Sequence, residues 1–258
     1  SRAVTLAAMT LLLTSCASVP KDSGFADVRR TVAAETQQPV EWDSRRPVEP
    51  PDDAAVAPLL KETLTAERAV QVAFAHNRDL QATLEELGVA RADLIAASTV
   101  RNPIAAGELR FPGSPAKPFE ITVHKTIMDL VQLGSRKKMG RARFEVAKLR
   151  VGGAVINFAA QVRKHYYDLL AARKVLARAG TILKAQEAAA ELALRQHSAG
   201  NVSDLDLESE QSRYEQVKLD HARAQLEELQ ARERVIADLG LVQRAELKLP
   251  DDFPPPDA

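Results

Sequence analysis

The most reactive side chains in this sequence are one cysteine and five histidines. Cys16 is the only thiol among the 258 residues, so a disulfide within the chain is impossible. The histidines are scattered and show no metal-ligand spacing; they are His76, His124, His165, His197 and His221. Neither a glycine-rich phosphate loop nor a Ser/His/Asp arrangement with supporting turns is present in the sequence. The sequence therefore predicts no enzyme, no metal site and no cofactor.

Cys16 is instead placed for a modification. It follows an apolar run that is too short for a transmembrane helix and has the length of a signal-peptide core. The residues Leu13-Thr14-Ser15-Cys16 resemble a bacterial lipobox, which implies cleavage before Cys16 and lipidation of its thiol and new amino group. We expect residues 1–15 to be a signal peptide with a truncated basic start. The alternative is an ordinary cysteine in a short N-terminal helix.

The net charge of the chain does not indicate a particular class of binding partner. Lys plus Arg and Asp plus Glu both number 35, so the net charge is zero and nucleic acid is not an expected partner. One basic cluster, "SRKKMGRAR" at 135–143, fits either contact with anionic lipid headgroups or a solvated helix face. Aromatic residues are only 4% of this alanine-rich, charged chain, which is typical of long helices and coiled coils.

Prolines and turn residues divide the chain. Residues 16–64 hold six prolines among many charges and are predicted to be a tether without long helices, apart from a short amphipathic turn near 25–34. A helical region is predicted over 65–100, with Thr65 as N-cap and a break at His76-Asn77. Its apolar face contains Ala69, Val72, Ala73, Leu80, Leu84, Leu87 and Leu94.

Residues 104–130 are predicted to form a β-hairpin around the turn "PGSPAKP". Polar and apolar residues alternate along both strands, so each strand has two different faces. A lone hairpin is unstable in water, and in a bilayer its strands could exist only within a closed barrel. The predicted lipid-facing residues are Leu109, Phe111, Phe119, Ile121 and Val123. The predicted lumen-facing residues are Glu108, Arg110, Glu120, Thr122 and His124.

Two further helices follow the hairpin. The first, 135–198, would be roughly 96 Å long at about 1.5 Å per residue. A turn then precedes a helix over 203–240, capped by Ser203. A coiled-coil seam is predicted on this last helix, formed by Ala222, Leu226, Leu229, Ile236 and Leu239. The fold class is therefore mainly α, with long antiparallel helices and one hairpin.

This layout resembles one repeat of the TolC-like outer-membrane efflux proteins. The resemblance covers about 65–249 and includes "LTAERAVQVAFAHNRDLQA", "LGVARADLIAASTVRNP" and "SAGNVSDLDLESEQSRYEQVKLDHARAQLEELQ". It implies a duct with an α-helical barrel in the periplasm and a β-barrel in the outer membrane. It also implies a periplasmic adaptor and an inner-membrane pump as partners, an exported drug, metal or other small solute, and a lipid-anchored location in the outer membrane.

The resemblance also directs attention to the turn and to the length of the chain. It implies that the adaptor meets the tip formed by Ser198, Ala199, Gly200, Asn201, Val202, Ser203 and Asp204. Proteins of this family carry two repeats, whereas this sequence carries one and ends in a Pro-rich linker, 250–258. We expect either a fragment of a trimeric protein or six single-repeat copies in one duct. The alternative function is a periplasmic coiled-coil lipoprotein that acts as an adaptor or structural rod.

Overall fold

The structure is a computed structural model that describes residues 24–42, 62–100, 104–109, 119–124, 127–241 and 247–253. Cys16, Arg110 and Phe111 lie outside these residues. The helices are α1 (Phe25–Thr36), α2 (Ala66–His76), α3 (Arg78–Ser98), α4 (Ile127–Ser198) and α5 (Asp204–Asp238), and the strands are β1 (Ile104–Leu109) and β2 (Phe119–His124). In the described part of the chain, the helices lack an apolar stretch long enough to span a membrane.

The first helical region is divided where the sequence indicated. The Thr65 hydroxyl accepts a hydrogen bond from the backbone N–H of Arg68 and so caps α2. Asn77 separates the helices, and its Oδ1 accepts a hydrogen bond from the N–H of Leu80 in the first turn of α3. The predicted apolar face is confirmed as buried; it comprises Ala69, Val72, Ala73, Leu80, Leu84, Leu87 and Leu94.

The hairpin is antiparallel and shorter than predicted. Its register pairs Leu109 with Phe119, Glu108 with Glu120 and Ile104 with His124. The prediction that β2 continues to Leu130, and that the long helix starts at 135, is wrong, because β2 ends at His124 and α4 begins at Ile127. The apolar residues of "IMDLVQL" recur three and four apart, which favours a helix, and Asp129 lies favourably near the positive end of its dipole.

The chain divides into two compact units, and each is described separately. Among the described residues, the first unit contains 24–31, Trp42 and the portion from 82 to 153. The second contains 32–41, 62–81 and the portion from 154 to 253. Helix α4 therefore contributes residues to both units.

The first unit packs the start of α1 against α3 and α4. Phe25 and Trp42 stack edge to face with ring centroids 5.4 Å apart, and the Trp42 indole donates to Glu85 on α3. The Lys148 ammonium of α4 lies 2.8 Å from Asp27. Burial lowers the pKa of Lys148, but its hydrogen bonds to Asp27 and Glu145 outweigh that effect and raise the pKa overall. These contacts attach α1 to the helical pair.

The second unit contains the remainder of the same N-terminal segment. Val32 and Val40 are fully buried, and the Arg163 guanidinium donates to the carbonyl oxygen of Thr36. The amphipathic turn predicted near 25–34 is confirmed as the helix α1, whereas the prediction of a tether is wrong for the described residues around it, because they pack against the helices. A proline-free interval from 21 to 38 allows a helix, and Phe25, Val28 and Val32 recur on one face of it.

Candidate functional site at the helical tip and along the coiled coil

Helices α4 and α5 form a coiled-coil seam in the second unit. The more buried residues of both helices recur at alternating intervals of three and four, which is the heptad pattern. On α4 they are Ala172, Leu176, Ala179, Leu183, Gln186, Ala190, Ala193 and His197. On α5 they are Leu207, Glu210, Tyr214, Val217, His221, Ala224, Glu228, Ala231 and Val235. Gln186 donates to Glu210 across this seam at 2.9 Å.

The predicted seam on α5 is wrong for three of its five residues. Ile236 and Leu239 are buried as expected, but Ala222, Leu226 and Leu229 are exposed. These three lie on a second apolar stripe, which we call the leucine stripe. Its spine is Leu205, Ser212, Leu219 and Leu226, at intervals of seven residues, with Ala222 and Leu229 beside it. In each heptad the spine lies five positions after the first seam residue and two after the second, as Ser212 does after Leu207 and Glu210, so it faces away from α4.

The tip between α4 and α5 is a closed, well-capped turn. Gly200 has a φ of 77°, a left-handed conformation that glycine adopts without steric cost. The N–H of Asn201 donates to the carbonyl of Gln196 and that of Gly200 to His197, which is a Schellman motif. The Ser203 hydroxyl accepts from the N–H of Asp206 and begins α5.

A short contact between a histidine and an aspartate joins the two sides of this turn. His197 Nε2 lies 2.6 Å from Asp204 Oδ1, and the Asp204 side chain is 93% exposed. Ser198 to Asn201, Ser203 and Asp204 are exposed, whereas Val202 is half-buried. The structure therefore brings all seven predicted tip residues into one accessible surface.

A groove lies beside the tip, between α4 and α5. Its volume is about 740 Å³, and its lining includes four glutamates from both helices: Glu187, Glu191, Glu208 and Glu215. Leu194 and Tyr214 contribute apolar surface to it. The groove is an acidic, partly apolar surface that sequence reasoning did not find, since its residues come from two segments.

The predicted lipid-facing and lumen-facing residues of the hairpin are described mainly through their backbone. The side chains of the hairpin lie outside what the structure describes, but its backbone register is defined. Directly paired residues of an antiparallel ladder lie on the same face. The pairs Leu109–Phe119, Gly107–Ile121 and Ala105–Val123 therefore share one face, and Glu108–Glu120, Ala106–Thr122 and Ile104–His124 share the other. In the described part of the chain, no three His, Cys, Asp or Glu side chains form a group that could hold a metal ion.

Comparison with solved structures identifies the fold. A crystal structure of a membrane protein from Pseudomonas aeruginosa matches with a TM-score of 0.58 and 22% identity, over 80% of this chain and 52% of that one. The channel protein CusC matches with a TM-score of 0.57 and 18% identity, over 84% of this chain and 56% of CusC. The outer-membrane channel OprN matches with a TM-score of 0.56 and 19% identity, over 82% and 55%.

The chain therefore has a TolC-like fold and spans about half the length of the channel structures it matches. This half-length match agrees with a single repeat of the TolC-like architecture. No protein-family model matches the chain, and no curated protein matches it in sequence.

Proposed function

We propose that the chain is a channel component of a tripartite export system in the outer membrane, building part of a duct for drugs, metals or other small solutes. The observation that carries this proposal is that α5 has two apolar faces. One face packs on α4 within the chain. The leucine stripe is uncovered, with Leu205, Leu219, Leu226 and Leu229 exposed by 79%, 56%, 53% and 44%. A helix with apolar residues on opposite faces is suited to a ring in which it contacts a neighbour on each side.

The hairpin supplies the membrane part of the proposal. Its register sets Glu108 directly opposite Glu120, on the face shared with Thr122 and His124. Two carboxylates at paired positions are costly in hydrocarbon, so this face is assigned to a water-filled lumen. The opposite face, with Leu109, Phe119, Ile121 and Val123, is assigned to lipid. Neighbouring copies, or a second repeat, would close the barrel.

The tip supplies the partner contact. In the chain, the hairpin directly precedes α4 and the tip directly follows it, with the 72 residues of α4 between them. If the hairpin is in the outer membrane, the tip is on the periplasmic side, where an adaptor bound to an inner-membrane pump would meet it. The exposed, rigidly capped turn offers a surface for that contact.

A photo-crosslinking amino acid at Asn201 tests this proposal. The full-length protein is expressed with its adaptor, and a second variant carries the crosslinker at Glu187, eleven residues before the end of α4. We expect an adaptor adduct from Asn201 and a much weaker one from Glu187. Absence of an adduct from Asn201, together with normal export by Asn201→Lys, would refute the tip contact.

A further inference from the structure

In the first unit, the start of α4 extends past the end of its partner helix α3. A Cβ added to Gly140 of α4 would meet Leu94 and Ala97, which lie near the end of α3. The end of one helix therefore contacts the beginning of the other, and each step back along α4 corresponds to one step forward along α3. Because α3 ends at Ser98, residues 127–136 of α4 have no partner on α3.

This projecting segment is nearly uncharged and exposes apolar side chains. Asp129 is the only charged residue among positions 127–135. Met128 and Val131 are 55% and 72% exposed. The segment begins three residues after β2 ends at His124, so it adjoins the hairpin in the chain. Clustered apolar side chains that remain exposed are typical of a surface that meets a protein or a membrane.

A group of cations follows the projecting segment, and we call it the basic collar. It has five cations within eight residues and no acidic residue among them: Arg136, Lys137, Lys138, Arg141 and Arg143. Lys138, Arg141 and Arg143 are exposed. In the described part of the first unit, the ion pairs of α4 are made instead by Lys148, with Asp27 and Glu145. The charge of the basic collar is therefore available to an anionic partner.

The collar cations flank an exposed apolar line of the same helix. Met139, which is 55% exposed, lies about 20° from Met128 at about 100° per residue, and Val131 lies on the same side. Lys138 and Arg143 are about 70° to either side of the line through these three residues. Long basic side chains can cover apolar surface with their aliphatic parts and extend their charges outward, so this arrangement suits a lipid–water boundary.

We propose that the projecting start of α4 lies at the membrane surface and that the basic collar binds the phosphate groups of anionic phospholipids. A Lys or Arg near an anionic leaflet is attracted to it, and a guanidinium can hold a phosphate through two hydrogen bonds. A plain solvated helix face would account for the cations. It would not account for the exposed apolar line between them or for its position beside the hairpin.

This inference rests on the proposed function in taking the hairpin as the part that spans the membrane, but its test does not use export. Full-length protein carrying Cys16→Ser and Met139→Cys has a single thiol, which is labelled with a bimane dye. The labelled protein is reconstituted into phosphatidylcholine nanodiscs. About 20% of the lipid is replaced by brominated phosphatidylglycerol or by brominated phosphatidylcholine, each of which quenches a dye that it touches.

The collar variant is Lys138→Gln/Arg141→Gln. Its matched control, Arg178→Gln/Lys184→Gln, also removes two exposed cations from α4, but further along the helix. Without either change, we expect a preference for phosphatidylglycerol of about threefold or more next to the dye. The collar variant should abolish the preference and the control should retain it. About 0.5 M salt should weaken it, because the attraction is electrostatic. Circular dichroism confirms the helical content of each variant.

Equal quenching by the two lipids, without either change, would overturn the lipid site and leave the hairpin in the membrane. An unchanged preference in the collar variant, or an equal loss in the control, would also overturn it. Quenching by neither lipid would place Met139 away from the membrane surface and reject the inference. A preference that depends on the collar, in a protein without export activity, would retain the lipid site and reject the duct function.

Discussion

Nδ1 of His165 lies 2.6 Å from Oδ2 of Asp238, a contact between residues 73 positions apart. Gln161 donates to the other carboxylate oxygen at 2.9 Å, and Asn77 donates to the Asp238 backbone carbonyl at 2.9 Å. Asp238 is the last residue of α5, where the helix dipole disfavours a carboxylate. Gln161 and His165 of α4 therefore hold a buried carboxyl group that local sequence would disfavour, and Asn77 of the α2–α3 break holds its backbone.

Asp238→Ala should destabilise the second unit by about 1–3 kcal/mol, because Gln161 and His165 would lose their shared buried acceptor. Glu227→Ala, at an exposed position of the same helix, should change stability by less than about 0.5 kcal/mol. Urea unfolding followed by circular dichroism measures both. Equal midpoints for the two variants would contradict a stabilising role of the Asp238 contacts.

Tyr166 is expected to make the second unit sensitive to alkaline pH. Its hydroxyl donates to the carbonyl of Leu64 at 2.8 Å, and burial raises its pKa to about 12 from 10.0. The unfolded chain ionises first as pH rises, so this contribution to stability is complete below pH 10 and is lost between pH 10 and about 12. Tyr166→Phe should be less stable at pH 8 but should lose less stability over that interval. Thermal melts of the wild type and of Tyr166→Phe at a series of pH values measure this difference. If Tyr166 has no such effect, the melting temperatures of the two proteins would change in parallel with pH.

Two glycines with the same conformation provide a matched comparison. Gly200 and Gly240 have φ values of 77° and 72°. A Cβ at Gly200 meets nothing within 4 Å, whereas one at Gly240 would be 2.8 Å from the carbonyl oxygen of His76 and 2.9 Å from Asn77 Cα. Gly200→Ala should therefore cost only the left-handed strain, about 1–2 kcal/mol. Gly240→Ala should lower the free energy of unfolding clearly more in the same denaturation assay. Similar losses for the two variants would show that the backbone of His76 and Asn77 can move away from the added Cβ.

The sequence predicted the helical elements well because their signals are local. Thr65 and Ser203 cap helices by contacts within three residues, and Gly200 ends α4 by its own φ. Periodicity was less decisive on α5, which has two apolar heptad stripes. The pattern alone does not tell which stripe the chain covers itself and which it leaves exposed, so Leu226 and Leu229 were assigned to the wrong one.

Long-range contacts were outside the reach of sequence patterns. Sequence patterns did not connect His165 with its partner Asp238, since the two lie 73 residues apart. The acidic groove likewise combines Glu187 and Glu191 with Glu208 and Glu215 across the tip. No spacing rule joins these segments without knowledge of the register between α4 and α5.

Cys16 is predicted to be the membrane anchor, although it lies outside the described residues. Two or more acyl chains would hold the protein firmly, whereas one chain gives only marginal binding. Labelled palmitate fed to expressing cells should enter the wild type and not Cys16→Ser; equal labelling would contradict lipidation. Cys16→Ser should still need detergent for extraction if the hairpin spans the membrane, whereas a periplasmic rod would become soluble.

The hairpin assignment is tested by two neighbouring positions of β2. The register places Val123 opposite Ala105 and Thr122 opposite Ala106, so adjacent residues belong to different faces. An arginine on the lipid face near mid-membrane costs about 2–4 kcal/mol, while lumen substitutions are tolerated. Val123→Arg should therefore block assembly of heat-resistant oligomer in the outer membrane, and Thr122→Arg should leave most of it. Electrophoresis of unheated samples measures both, with total protein as the expression control. If only Thr122→Arg lost the oligomer, the lipid and lumen faces would be the reverse of those assigned. If both variants assembled equally, the barrel assignment would be rejected, because an arginine at a lipid-facing position should block assembly.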